Sequence, residues 1–161
     1  MSQSLPTLTI THPRLKALRT FWDLTRGSRR FPARADFAFK DLRQWLGHIA
    51  LVDVVQRPPR FRIRLLGTRL VEYAGQDHTG QWIDECVAPE NVAGALEPFR
   101  SCVELAAPVV RHTRYINPRA IRSTLERLLL PCSSDQQTID IIMGCTYIEV
   151  EPEEAAPTHK R

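Results

Sequence analysis

Nowhere in its 161 residues does this sequence hold an apolar run approaching the roughly 18 residues that a membrane-spanning helix needs. Its amino terminus, MSQSLPTLTITHPRLK, lacks the basic stretch, apolar core and small-residue cleavage site of a secretory signal, so a cytoplasmic protein is expected. Four cysteines are present (Cys86, Cys102, Cys132, Cys145), but no two stand at Cys-x-x-Cys spacing. A zinc ribbon and a redox pair are thereby excluded, leaving buried reduced thiols. His-x-His and Glu-x-x-His spacings are missing, which leaves His12, His48, His78 and His112 too dispersed for a metal site. Also missing are a Gly-x-Ser-x-Gly elbow, a phosphate-cradling glycine loop and a carboxylate pair on an evident cleft wall. Asp77-His78 is the most tempting catalytic pair, yet adjacent residues in a turn read as a solvated loop. No kinase, cyclase or DNA-binding output segment follows the last strand, so a signal is expected to leave by protein contact.

What is present fits one globular domain: 43% hydrophobic and 25% charged residues, with a net charge of +4. Residues 12–36 hold seven Lys/Arg against Asp23 and Asp36. A nucleic-acid binder would use such a lead-in, but no zinc-finger or RNA-recognition signature accompanies it, and a solvated face is the expected reading.

The strongest local signal is a β-hairpin. His48–Val55 and Arg60–Leu66 are rich in β-branched and aliphatic residues, and Gln56-Arg57-Pro58-Pro59 cannot continue a ladder. Pairing Val55 with Arg60 sets Val54 opposite Phe61, Val52 opposite Ile63 and Ala50 opposite Leu65 on one apolar side. On the other side, Asp53 meets Arg62.

Before the hairpin, Leu15, Leu18, Phe21 and Trp22 recur at helical spacing from His12-Pro13 to Gly27, and Lys40–Leu46 reads as a second short helix. Neither can bury its stripe alone. The first must pack on the sheet or on its copy in a second subunit, and Leu15, Leu18, Phe21 and Trp22 are the expected homodimer contact. Between them, Asp36 is placed to hold Arg34 or Arg29 at the junction.

After the hairpin, Thr68–Gly75 reads as a short helix, Gln81–Val87 as an irregular segment, and Pro89–Ala107 as a longer helix containing Pro98. Val109–Ile116, Thr124–Leu130 and Thr138–Val150 read as strands, with Gly144 marking a bulge or a close backbone approach. Residues 1–11 are expected to be a flexible amino terminus, 12–46 a helical extension, 47–150 the domain, and 151–161 a disordered acidic, proline-rich tail.

Two strands, a helical middle and three strands define an α+β domain with an antiparallel sheet covered on one face. This arrangement resembles a PAS domain, and FWDLTRGSRRFPARADF (21–37), RIRLLGTRLVEYAGQDHTG (62–80) and LLLPCSSDQQTIDIIMG (128–144) resemble a bacterial family of small stand-alone PAS-like proteins. The resemblance implies a five-stranded antiparallel sheet and a sensory or partner-binding role rather than catalysis. It further implies a pocket walled by Val52, Phe61, Ile63, Leu65, Tyr73, Trp82, Phe99 and Cys102, with His112 or Arg114 as polar contact, suited to a small apolar metabolite. Haem-binding relatives place an axial histidine on the long helix, whereas Pro89–Ala107 has none. Flavin photoreceptors carry Asn-Cys-Arg-Phe-Leu-Gln, whereas the nearest cysteine here reads Asp84-Glu85-Cys86-Val87-Ala88. Neither haem nor a covalent flavin is expected. A small α+β enzyme with a cone-shaped cavity and a basic nucleic-acid binder are the alternatives to a sensory module with an unidentified signalling partner.

Overall fold

The computed structural model describes residues 9–55, 58–117 and 119–152. Gln56 and Arg57 of the expected hairpin turn, Pro118, and most of the two expected flexible ends lie outside the described residues.

Helix α1 (Pro13–Arg26) starts where Pro13 presets the first turn and the His12 ring accepts the Arg14 amide. It stops at Gly27, whose φ of +58° a side chain would resist. The expected second helix is instead a 3-10 turn, Arg43–His48, which still buries Trp45. Strands β1 (Ile49–Val55) and β2 (Arg60–Leu66) follow, then α2 (Thr68–Ala74), closed by Gly75 in the left-handed region. Short 3-10 turns at Ile83–Glu85 and Pro89–Asn91 lead into α3 (Val92–Leu105). Pro98 lies inside α3 and leaves the Gly94 carbonyl without its helical donor, at a residue open to water. Strands β3 (Val109–Ile116), β4 (Arg122–Cys132) and β5 (Ile141–Val150) complete the chain.

All pairings are antiparallel, in the order β2-β1-β5-β4-β3. β4 runs through Pro131 because β3 ends opposite Leu129, leaving β5 as the neighbour beyond it, where a missing amide is tolerated. At Gly144 the registers on both sides are unbroken, so the glycine marks a close approach and not a bulge. A Cβ there would stand 3.1 Å from Leu129 Cδ2.

The hairpin register agrees with expectation from Val55–Arg60 to Val52–Ile63, then slips. A bulge between Leu51 and Val52 pairs Leu51 with Leu65 and Ala50 with Leu66. Asp53 is nearly buried and takes two arginines, Arg64 at 2.8 Å and the expected Arg62 at 3.7 Å. Alternation already sets Arg64 on the same side as Arg62, and the bulge leaves it without a cross-strand partner, between the Ile63 and Leu65 pairs.

Both sheet faces are covered, and one core joins them. α3 lies on the inner face, where the Phe61 and Phe99 rings are 5.5 Å apart. α1 lies on the outer face, with Trp22 donating to the Pro131 carbonyl at 3.0 Å. Leu15 and Leu18 are fully buried and Trp22 is nearly so. The stripe expected to meet a second subunit is therefore covered by this chain's own sheet. Phe21 stays half-buried between Phe37 and Trp45, and Leu24 is the large apolar side chain of α1 left at the surface.

The junction after α1 is tied by Asp36, which accepts from the Ala33 amide at 2.8 Å and pairs with Arg29 at 2.9 Å. Arg34 turns away and donates to the Phe37 carbonyl. Asp23 takes both Arg19 and Arg26, so with Arg29 three cations of the basic lead-in are paired while a local excess of positive charge remains. Residues 9–11, expected to be flexible, are also held. Thr9 offers its carbonyl to His112, and Thr11 donates to Glu126.

Candidate functional site

Alternation along each strand assigns every side chain to a face. Arg111 binds Glu97 of α3 through two bonds of 3.0 and 2.6 Å, so Arg111, Thr113 and Tyr115 of β3 face inward. Their cross-strand partners Arg127, Leu125 and Ser123 face inward with them, as do Thr146 and Ile148 of β5.

The near end of the inner cleft is packed solid. Val52, Phe61, Ile63, Phe99 and Cys102, five of the expected wall residues, meet there with Leu96, and each is buried. Burial pushes the Cys102 thiol up to about 12, which keeps it protonated and inert.

The other expected residues are placed elsewhere. Leu65 pairs with the outward Leu51 because of the bulge, and Leu66 takes the inner position. Trp82 bridges to Arg62 on the open side of β2 and lies under the Arg60 guanidinium, 4.1 Å from its ring centroid, with Arg60 held by Asp84 and Glu85. Tyr73 sits at the far end of the cleft, 6.2 Å from the Tyr115 ring, with its hydroxyl buried and unpartnered.

His112 and Arg114 were expected to supply a polar contact in the cleft, and both stand on the opposite face. They alternate with Arg111 and Thr113, so the strand that turns Arg111 toward α3 must turn them away. His112 contacts the Thr9 carbonyl at 3.1 Å, and Arg114 points into water 3.8 Å from Glu151.

The polar residues on the inner face are ones that sequence reading passed over. Arg127 projects from β4 between Arg111 and Thr146, and its Nε donates to Thr146 Oγ1 at 3.2 Å. Burial pulls its guanidinium below the ordinary arginine range. Ser123 is fully buried with its hydroxyl unpartnered. A signal was available in TLERLLL: a charge pair at Glu126-Arg127 inside an apolar strand covered on both faces must place one charge on each side.

Glu126 is the outer member. Its carboxylate accepts from the Thr11 amide at 2.7 Å, the Thr11 hydroxyl at 2.5 Å and the His12 amide at 3.0 Å, and so fixes the entry to α1. Burial alone would raise its pKa, but these donors outweigh it and hold the carboxyl below the usual range. Next to it, Tyr147 is stacked between His12 and His48, with ring centroids 3.9 and 4.1 Å away. His12, Glu126 and Tyr147 line an open hollow of about 740 Å³ with His112, Arg114 and Glu149.

Cys86 donates to the Trp82 carbonyl at 3.1 Å, and burial pushes its thiol up, with Glu85 and Asp84 adding to the effect. Among the described residues, no group of three or more His, Cys, Asp or Glu is arranged to hold a metal, and no helix is long and apolar enough to cross a membrane.

A five-stranded antiparallel sheet in the order 2-1-5-4-3, with a helical cover on one face and an amino-terminal helix on the other, defines an α+β architecture of the PAS type. The PAS domain profile matches residues 10–147, and the chain belongs to that family. Similar solved structures include a LOV protein from Rhodobacter sphaeroides, with TM-score 0.52, 15% identity and 68% of this chain covered. The match spans 65% of that protein's chain. A PAS domain from Colwellia psychrerythraea matches with TM-score 0.50, 14% identity, and 68% of this chain and 94% of the other covered. At these identities the likeness concerns the fold. A comparison with curated proteins finds no match.

Proposed function

We propose that this chain is a sensory PAS module in which a small ligand held on the inner face of the sheet, beside the packed α3 contact, alters the sheet, and the change leaves through α1 to a protein partner. The observation that carries this reading is the single core spanning both faces. Phe61, Phe99 and Ile142 on the inner side belong to the same packed cluster as Leu51, Leu15, Leu18 and Trp22 on the outer side. Close-packed interiors transmit displacement, so a shift of β4 or β5 is felt by α1. The apolar side chains of the cleft favour a ligand with an apolar body. The proposed homodimer must use surface other than Leu15, Leu18 and Trp22, and on α1 that leaves Leu24 and the open edge of Phe21. No catalytic role is assigned, because the ionisable side chains identified on the inner face are engaged in pairing or are cationic.

Native mass spectrometry of freshly purified protein, followed by amide exchange before and after the copurified molecule is dialysed away, tests the proposal. A bound small molecule whose removal changes exchange in residues 13–26 is the expected result. A protein that carries no small molecule, or one whose α1 is indifferent to its removal, overturns it.

A further inference from the structure

The inner face of β3 and β4 is covered at two points and open between them. At one, Arg111 and its partner Arg127 lie beside α3, and Arg111 is neutralised by Glu97 and also reaches Ser101. At the other, four residues further along and roughly 13 Å away, Tyr115 and its partner Ser123 lie beside Tyr73 of α2. The pair between them, Thr113 and Leu125, is exposed and half-buried respectively, and Ile148 beside Leu125 is half-buried. A short floor of Thr113, Leu125 and Ile148 therefore runs between a cation and two buried hydroxyls without partners, Ser123 Oγ and Tyr73 Oη.

The cation is unusual in its pairing. Arg127 faces another arginine across the ladder and has no carboxylate partner among the described residues. Its Nε is spent on Thr146, which is itself buried, and this fixes the plane of the guanidinium. The two terminal nitrogens bond to no described residue and, on this half-buried side chain, keep access to solvent. A two-pronged donor held by a buried threonine in a partly desolvated recess matches the two oxygens of a carboxylate or phosphate. An unpaired charge in such a place costs stability, which a bound anion would recover.

We infer that Arg127 and Thr146 form the head-group subsite for a small organic anion, whose apolar body lies along Leu125 and Ile148 toward Ser123 and Tyr73. This rests on the sensory reading above and specifies its ligand class.

The test uses three probes with one six-carbon body, hexanoate, hexyl phosphate and hexan-1-ol, titrated into the full chain and followed by amide NMR shifts. Saturable shifts centred on Leu125, Arg127 and Thr146 are expected with an anionic probe, at least ten-fold tighter than with the alcohol. Which anion binds distinguishes carboxylate from phosphate recognition. Arg127→Gln should abolish the preference for the anion. Arg127→Met should raise the melting temperature of the ligand-free protein by about 2–4 °C, because it removes an unpaired cation. Equal binding of the alcohol and the anions overturns the anion subsite while leaving the sensory reading intact. Binding of none of the three, or an Arg127→Met protein less stable than wild type that still prefers the anion, also overturns the subsite. Only failure of the copurification experiment reaches the sensory reading itself.

Discussion

Glu126 and Arg127 are consecutive residues of β4 that serve opposite faces of the sheet. Glu126 anchors Thr11 and His12 at the start of α1, while Arg127 donates to Thr146 inside the cleft. Both belong to one extended backbone segment that cannot shift for one without shifting for the other. The contact proposed for a ligand and the contact that holds α1 are thus one peptide bond apart.

Glu126→Gln tests the outer contact. The substitution keeps the size but removes the charge from three hydrogen bonds, costing about 1 kcal/mol at this partly wetted site. Amide exchange in residues 11–16 should rise, as hydrogen-exchange mass spectrometry will show. The sign with pH follows from the lowered pKa: the stabilisation is present above the unfolded value, near 4.5, and is lost as pH falls through the folded value. The variant should lose that part of its acid sensitivity.

His48 should make the protein less stable in mild acid. Burial lowers its pKa from the ordinary 6.5, against a partly opposing hydrogen bond to the Thr146 carbonyl. The fold therefore favours the neutral ring, and its contribution is complete above pH 6.5 and declines as pH drops toward the folded value. Thermal unfolding at pH 7.5 and 5.5 should show this loss, and a His48 titration midpoint at or above 6.5 by NMR would contradict it.

Gly67 joins β2 to α2 and crosses directly over the 3-10 turn before β1. A Cβ there would stand 2.5 Å from the Gly47 carbonyl oxygen, a backbone atom that no rotamer change can move. Gly67→Ala should destabilise by roughly 1–3 kcal/mol through overpacking. The urea midpoint should fall at constant slope.

Asp36→Ala should free Ala33 and Arg29 together and loosen the turn between α1 and the sheet. Faster exchange toward the carboxyl-terminal end of α1 is expected. Unchanged protection there would mean that the bonds from Gln136 to Phe31 and from Ser133 to Pro32 suffice to hold the junction.

Some of these relationships were legible before any coordinates. Val54, Phe61, Val52 and Ile63 were paired from a turn and a two-residue period, and Asp36 was placed against Arg34 or Arg29, of which the fold takes Arg29. Leu65 was not legible, because a bulge leaves no mark in RIRLL. His112 and Arg114 were assigned to the wrong face because VVRHTRYI carries polar residues on both sides. Its phase became readable only once Glu97 took hold of Arg111.

The amino-acid sequence by itself determined the order of the five strands and of helices α1, α2 and α3, since periodicity, prolines and capping glycines act within a few residues of one another. Tertiary structure decided which side of each strand looks inward, that α1 spends Leu15, Leu18 and Trp22 on its own sheet, and that Arg127 stands in the cleft without a carboxylate among the described residues. The division has a physical cause: a strand's alternation is local, whereas its phase relative to a covering helix is set by partners up to about a hundred residues away, as Thr11 is from Glu126.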